Sequence, residues 1–213
     1  GGGGGGGVGG GGGVGVWGGG GAGGGGARGG GVGGGPFRAG GPLGLGDRGV
    51  QTVRTPHDGT GPVAMVATAR SSGTRAGIIY DLGHVPASYR RIFERLDILV
   101  LESNHDEGML RAGPYPPSVQ TRIGGAWGHL SNRRAGAFAR DCAHGGLAQL
   151  VLAHLSERCN DTGVALESMR GALARTSFRG ALQAASQSNV CGPFTAGRNA
   201  RAMVAASQLM LEL

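Results

Sequence analysis

RAGIIYDLGHVPASYRRIFERLDILVLESNHD, residues 75–106, decides the fold. Residues 75–80 form an apolar run of strand length that stops at Asp81. Pro86 then opens a helix through Leu96 and places Tyr89, Ile92, Phe93 and Leu96 on one face. Residues 97–103, DILVLES, form a second buried strand. Strand, helix and apolar strand in that order are the unit of an α/β layer fold. Both strands run out into chemistry: Asp81 and His84 after the first, Glu102 at the end of the second and His105 and Asp106 beyond it. A rigid strand fixes such a side chain while the following loop leaves it open.

The same form repeats outward from this unit. VQTVRT (50–55) alternates as a strand does and runs into His57 and Asp58. PVAMVATA (62–69) is the next strand, with SSGT (71–74) as its turn. Downstream, residues 104–128 are a long connection containing PYPP at 114–117, with short helices on either side. Ser131 caps a helix over 132–143. LAQLVLAHL (147–155) is a buried strand carrying His154, residues 163–174 form an amphipathic helix, and GALQAASQ (180–187) is a final strand. The last dozen residues could form a helix.

Composition divides the chain. Thirty-two of the 50 glycines fall in residues 1–50, without the G-X-Y period of collagen. Residues 1–46 offer few side chains to bury and are expected to be disordered. The G-x-G-x-x-G matches there lack the flanking strand and helix of a dinucleotide site. Residues 47–187 are read as the folded domain and 188–213 as an extension. The formal charge of +7 comes from arginine alone, since no lysine is present. The arginines are scattered, with pairs only at 90–91 and 133–134. They allow an alternative reading as a non-catalytic arginine-rich nucleic-acid-binding module, which the low aromatic content disfavours. Cys142, Cys159 and Cys191 form no C-x-x-C pair, which points to a reducing, cytoplasmic setting. No apolar run reaches the roughly 18 residues of a membrane span, and no signal peptide is seen. The sequence does not begin with Met, its first being Met65, and is read as an incomplete or misframed product.

All six histidines lie between positions 57 and 154. Taken singly, a histidine at a strand end is ordinarily structural. His57, Asp81 and His154 at three separate strand ends together suit zinc and related divalent ions.

HDGTGP at 57–62, DLGH at 81–84, LESNHD at 101–106, GPYPP at 113–117, GHLSN at 128–132 and LAHLS at 152–156 bring a resemblance. Together they resemble the C-terminal half of the WalJ-like branch of the metallo-β-lactamase-fold hydrolases. The resemblance implies a partial αββα sandwich, two divalent metal ions (zinc or manganese) and phosphodiester hydrolysis, with single-stranded DNA or RNA among the substrates. It implies that His57 is a ligand of the first metal, that Asp81 bridges the two, and that His154 is a ligand of the second. It makes His129 the leaving-group or phosphate-contacting histidine and Glu102 the carboxylate that orients it. Asp58, His84, His105 and Asp106 fall in or beside these motifs and are read as lining the site.

The sequence departs from the family in one respect. An H-x-H-x-D-H motif is expected well before His57, yet His57 is the first histidine and Asp47 the only earlier acid. Three of the seven ligands expected from the resemblance are therefore in hand. The expectation is an impaired site, and a sheet with one exposed apolar face.

Overall fold

A computed structural model describes residues 42–59, 61–186 and 191–195. The expected disordered segment up to residue 41 and the expected C-terminal helix lie outside the described residues. Within them the strands β1 (Pro42–Leu45), β2 (Arg48–Arg54), β3 (Val63–Ala69), β4 (Arg75–Ile79), β5 (Ile98–Glu102), β6 (Gln149–Ala153) and β7 (Ala181–Ala184) form one sheet in chain order. The pairings from β1 to β4 are antiparallel and those from β4 to β7 are parallel. Antiparallel neighbours need only tight turns, while each parallel pair needs a crossover. Those crossovers carry α1 (Tyr89–Ile92), then α2 (Glu107–Ala112), α3 (Pro117–Gly124) and α4 (Asn132–Cys142), then α5 (Thr162–Leu173).

In β4 and β5 burial follows the strand period of two, while β6 is buried on both faces, Val151 included. Ile79, Leu99, Leu101, Leu150 and Leu152 are fully buried on the helix-bearing face, against Phe93, Leu96, Leu130 and Met169. Ile78, Ile98 and Val100 alternate with them on the other face and are half-buried. The apolar face expected to stand open is thus only partly accessible. Ser131 and Asp161 cap α4 and α5 by accepting bonds from the first free N–H groups of each helix.

Two local expectations are corrected. The sheet begins at Pro42, inside the segment expected to be unstructured up to residue 46, because β1 pairs with β2 from Pro42↔Gln51 to Leu45↔Arg48. The helix expected over 86–96 is a single turn, Tyr89–Ile92, entered through three-residue turns from Pro86 and Ala87. Ser88 supplies no side-chain cap, and Arg95 adopts φ 53°, a left-handed conformation that a helix cannot continue through. Tyr89, Phe93 and Leu96 are buried nonetheless, so the expected apolar face is present without the expected helix. Among the described residues no helix is long and apolar enough to cross a membrane.

The two faces of β5 should differ in stability. Leu101→Ala should cost about 2–5 kcal/mol through lost burial and the cavity left behind. Ile98→Ala should cost about half of that or less, since its side chain already meets solvent. Urea unfolding of both variants measures the difference, and equal losses would show that the two faces are equally packed.

Candidate metal centre

The parallel half of the sheet builds the site. β4, β5 and β6 are neighbours, and functional side chains leave their C-terminal ends: Asp81 just beyond β4, Glu102 as the last residue of β5, His154 directly after β6. Strand order puts Glu102 between the other two. Asp81 and His154 both adopt φ 56°, a left-handed conformation that L-residues avoid. Strain of this kind persists only where the surroundings enforce it, and it gathers at functional sites. At His154 one such restraint is the Asn104 amide, which donates to its carbonyl at 2.9 Å.

Glu102 is fully buried, and its carboxylate accepts four hydrogen bonds. Oε1 takes His129 Nδ1 at 2.8 Å and His154 Nδ1 at 2.7 Å. Oε2 takes the backbone N–H of Leu82 at 3.1 Å and of Leu130 at 3.3 Å. Burial is the largest single influence on its pKa and pushes it up. The bonds and charges of His129 and His154 together outweigh it and hold the group below the ordinary carboxylate range. The His154 pKa is raised by its bond to Glu102, against the opposing effect of burial, with Asp81 adding to the rise. An ionised carboxylate can only accept, so both imidazoles carry a proton on Nδ1 and turn Nε2 away from Glu102.

The loop before His129 holds the other side. The carbonyls of Ala126, Trp127 and Gly128 accept, in turn, from His84 Nδ1 at 2.9 Å, Asp58 N at 2.8 Å and His57 Nδ1 at 2.9 Å. The chain comes so close here that a Cβ on Gly83 would lie 2.4 Å from the Ala126 carbonyl oxygen, and one on Gly128 2.1 Å from that of Arg122. Arg134 donates from Nη1 to the carbonyls of Gly83 and Gly124. Arg122 pairs with Asp58 through Nε, and this contact holds the Asp58 carboxyl below its usual range.

These contacts produce a row of imidazoles, with ring centres 4.8 Å apart from His57 to His129 and 5.0 Å from His129 to His154. Asp81 Oδ1 lies 3.5 Å from His154 Nδ1 and 3.8 Å from His129 Nδ1. One donor atom from each of Asp81, Glu102, His129 and His154 falls within 4.8 Å of the others, so the cluster could coordinate a divalent metal. The separations of 2.7 and 2.8 Å around Glu102 are hydrogen-bond distances, which favours an orienting role for this carboxylate over ligation. The donor set passes the chemical test for a metal. His57, His129 and His154 each commit Nδ1 to an oxygen acceptor, the arrangement that frees Nε2 for an ion.

The structure therefore brings together His57, Asp81, Glu102, His129 and His154. Asp58 stands beside them, its Oδ1 3.5 Å from His57 Nε2, and His84 is exposed at the rim. Asp106, read as lining the site, turns to cap a helix. Its Oδ1 accepts from Gly108 N and Met109 N, the first free donors of α2. His105 is likewise withdrawn into the interior, 2% exposed, with Nδ1 3.4 Å from Asn104 Oδ1. Sequence reading paired Glu102 with His129 alone and missed its second partner, His154. It also missed Arg122 and Arg134, which no local pattern distinguishes from the other arginines.

No family model matches the chain. It is 31% identical over 134 residues to exodeoxyribonuclease YycJ of Bacillus anthracis, a match covering 63% of this chain and 50% of the relative. It is 30% identical over 101 residues to exodeoxyribonuclease WalJ of Streptococcus pneumoniae serotype 2, covering 47% of this chain and 38% of the relative. The chain thus spans half or less of the length of these relatives. The metallo-β-lactamase-fold protein YhfI of Bacillus subtilis superposes with a TM-score of 0.51 at 21% identity, covering 70% of this chain and 51% of that one. The mixed sheet and its helices have the arrangement of part of a metallo-β-lactamase fold. The relationship to the YycJ/WalJ-like proteins is a distant one.

His105 makes a pH prediction. Burial, opposed by the charge of Glu102, drives its pKa down to about 4. An unfolded chain protonates it near pH 6.5, so the native state binds fewer protons between those values. The contribution is complete above the unfolded value and is lost as pH falls towards the folded one. Wild type should lose about 3 kcal/mol more than His105→Gln across that window. Urea unfolding at a series of pH values tests this, and parallel curves for the two proteins would refute it.

Proposed function

We propose that this chain carries part of a metal-dependent phosphodiesterase site of the exonuclease type, acting on single-stranded DNA or RNA. The observation that carries the reading is the double grip of Glu102 on His129 and His154, with Asp81 against both imidazoles. A carboxylate behind two histidines is what a hydrolytic centre needs to fix their tautomers and hold positive charge at the nitrogens facing the substrate. The exodeoxyribonuclease names of the two relatives support DNA as the substrate.

In this reading His57, Asp81 and His154 would hold the divalent ions, zinc or manganese, with Asp81 serving both. Such ions, when bound, lower the pKa of a water and clamp the phosphodiester oxygens. His129 keeps Nδ1–H on Glu102 and presents Nε2. As an imidazolium it holds a proton there for the leaving alkoxide, and Glu102 stabilises the charge while the proton is in place. The alternative, a non-catalytic arginine-rich nucleic-acid-binding module, accounts for the net charge but gives the Glu102 network no task. Some of its arginines are also already paired: Arg90 with Asp141 and Arg133 with Glu107.

With three of seven expected ligands, the chain as written should hold metal weakly. After equilibration with zinc or manganese it should retain fewer than two ions per molecule and hydrolyse bis-p-nitrophenyl phosphate slowly. Asp81→Ala should remove most of the remaining metal affinity in calorimetric titration. Two tightly held ions with rapid turnover would overturn the claim of an incomplete site. Metal binding indifferent to Asp81→Ala and His154→Ala alike would overturn the assignment of the ligands.

A further inference from the structure

Large apolar side chains rarely stand in water, because their area drives them inward. Among the described residues Leu43, Tyr80, Trp127 and Val164 do so. The two aromatic ones border the imidazole row. Tyr80 is 39% exposed, and its ring centre lies 6.3 Å from that of His154. Trp127 is 61% exposed, and its ring meets His84 edge-on at 6.4 Å.

The backbone under Trp127 is fixed. Its own carbonyl is bonded to Asp58 N, and the carbonyls on either side are bonded to His84 and His57. The main chain is therefore held at the site while the Trp127 side chain is largely exposed. Arg122 reaches Asp58 from the same loop region with a 73% exposed side chain, and only its Nε is used in that contact.

We propose that Trp127, seconded by Tyr80, is a stacking platform for bases flanking the scissile phosphate of a single-stranded nucleic acid, with Arg122 beside it for the backbone. A π face accepts any base, so the platform selects for unpaired bases without reading sequence. Duplex bases are already stacked on one another and cannot reach it. The inference rests on the phosphodiesterase reading only for the place of the phosphate.

The test is binding, with EDTA present so that no cleavage intervenes. Fluorescein-labelled dT12 and an abasic 12-mer of equal charge are titrated by anisotropy against the full chain. Trp127→Ala should weaken dT12 binding about tenfold, with a smaller loss for Tyr80→Ala. Trp127→Phe, still aromatic, should stay within about threefold of wild type, while Trp127→Leu should behave as the alanine variant does. Abasic 12-mer binding should be the same for all. In a Trp17→Phe background, dT12 but not the abasic chain should quench the Trp127 emission. Circular dichroism confirms that each variant is folded. Equal losses on both oligomers, no loss on Trp127→Ala, or no binding of dT12 by wild type would each overturn the proposal. Base-dependent binding through Trp127, together with metal binding indifferent to Asp81→Ala and His154→Ala, would leave it standing and sink the phosphodiesterase reading. Turnover of bis-p-nitrophenyl phosphate with dT12 binding indifferent to Trp127 would do the reverse.

Discussion

A buried carboxylate without a counter-charge is among the most costly things a protein interior can contain, and Glu102 escapes that cost only through four donors. Those donors come from three stretches of chain: Leu82 after β4, His129 and Leu130 before α4, and His154 after β6. If one were lost, the remaining three would leave under-compensated a charge that water cannot reach. The stability of the parallel half of the sheet and the geometry of the site are thus the same set of bonds. β5 has to be the middle strand for this to work, since only a central strand can reach loops on both sides.

The loops pay for that convergence in backbone conformation. Asp81 and His154 turn sharply as soon as their strands end, each with a left-handed φ. A relaxed extended exit would carry both side chains past Glu102. On the other side, three successive carbonyls at 126–128 receive His84, Asp58 and His57, and glycines at 83 and 128 let the chains approach to a distance no Cβ permits. Arg134 ties Gly83 to Gly124 across the same gap. Imidazoles can then be placed without being buried: His154 keeps its side chain 41% exposed while its Nδ1 is fully committed.

How much of this is legible in the sequence depends on range. The β–α–β unit of residues 75–106, the strand-end residues Asp81, Glu102 and His154, and the Ser131 cap are written in local pattern. Apolar runs and single capping residues act within a few positions. β1 is not legible, because PLGL has almost no pattern of its own and is a strand only by pairing with β2. Nor is the shortness of α1, which turns on one left-handed residue, Arg95. Asp106 is legible in one role and not in the other. Beside His105 it looks like part of a site, yet an aspartate that opens a helix is spent on the N–H groups two and three residues ahead. The choice of His154 as second partner of Glu102 spans 52 positions and follows only from the register of β5 against β6.

Charge decides the order in which such a site can be filled. The net charge of +7 suggests affinity for polyanions, but the residues around the imidazole row are Glu102, Asp81 and Asp58. Arg122 neutralises Asp58, and His154 can offset Glu102 by holding a proton, as its raised pKa favours. Asp81 remains, 31% exposed at the mouth, with no arginine bonded to it among the described residues. A phosphodiester arriving there meets a carboxylate first. On the proposed reading, positive charge would have to precede the substrate, either as a proton on His154 or as cations that the imidazoles and Asp81 would hold. Protons alone would occupy the nitrogens that ligation needs, so the two ways of filling the site exclude each other at each imidazole. The scattered arginines outside can draw a nucleic acid towards the protein at long range, but they cannot complete this step.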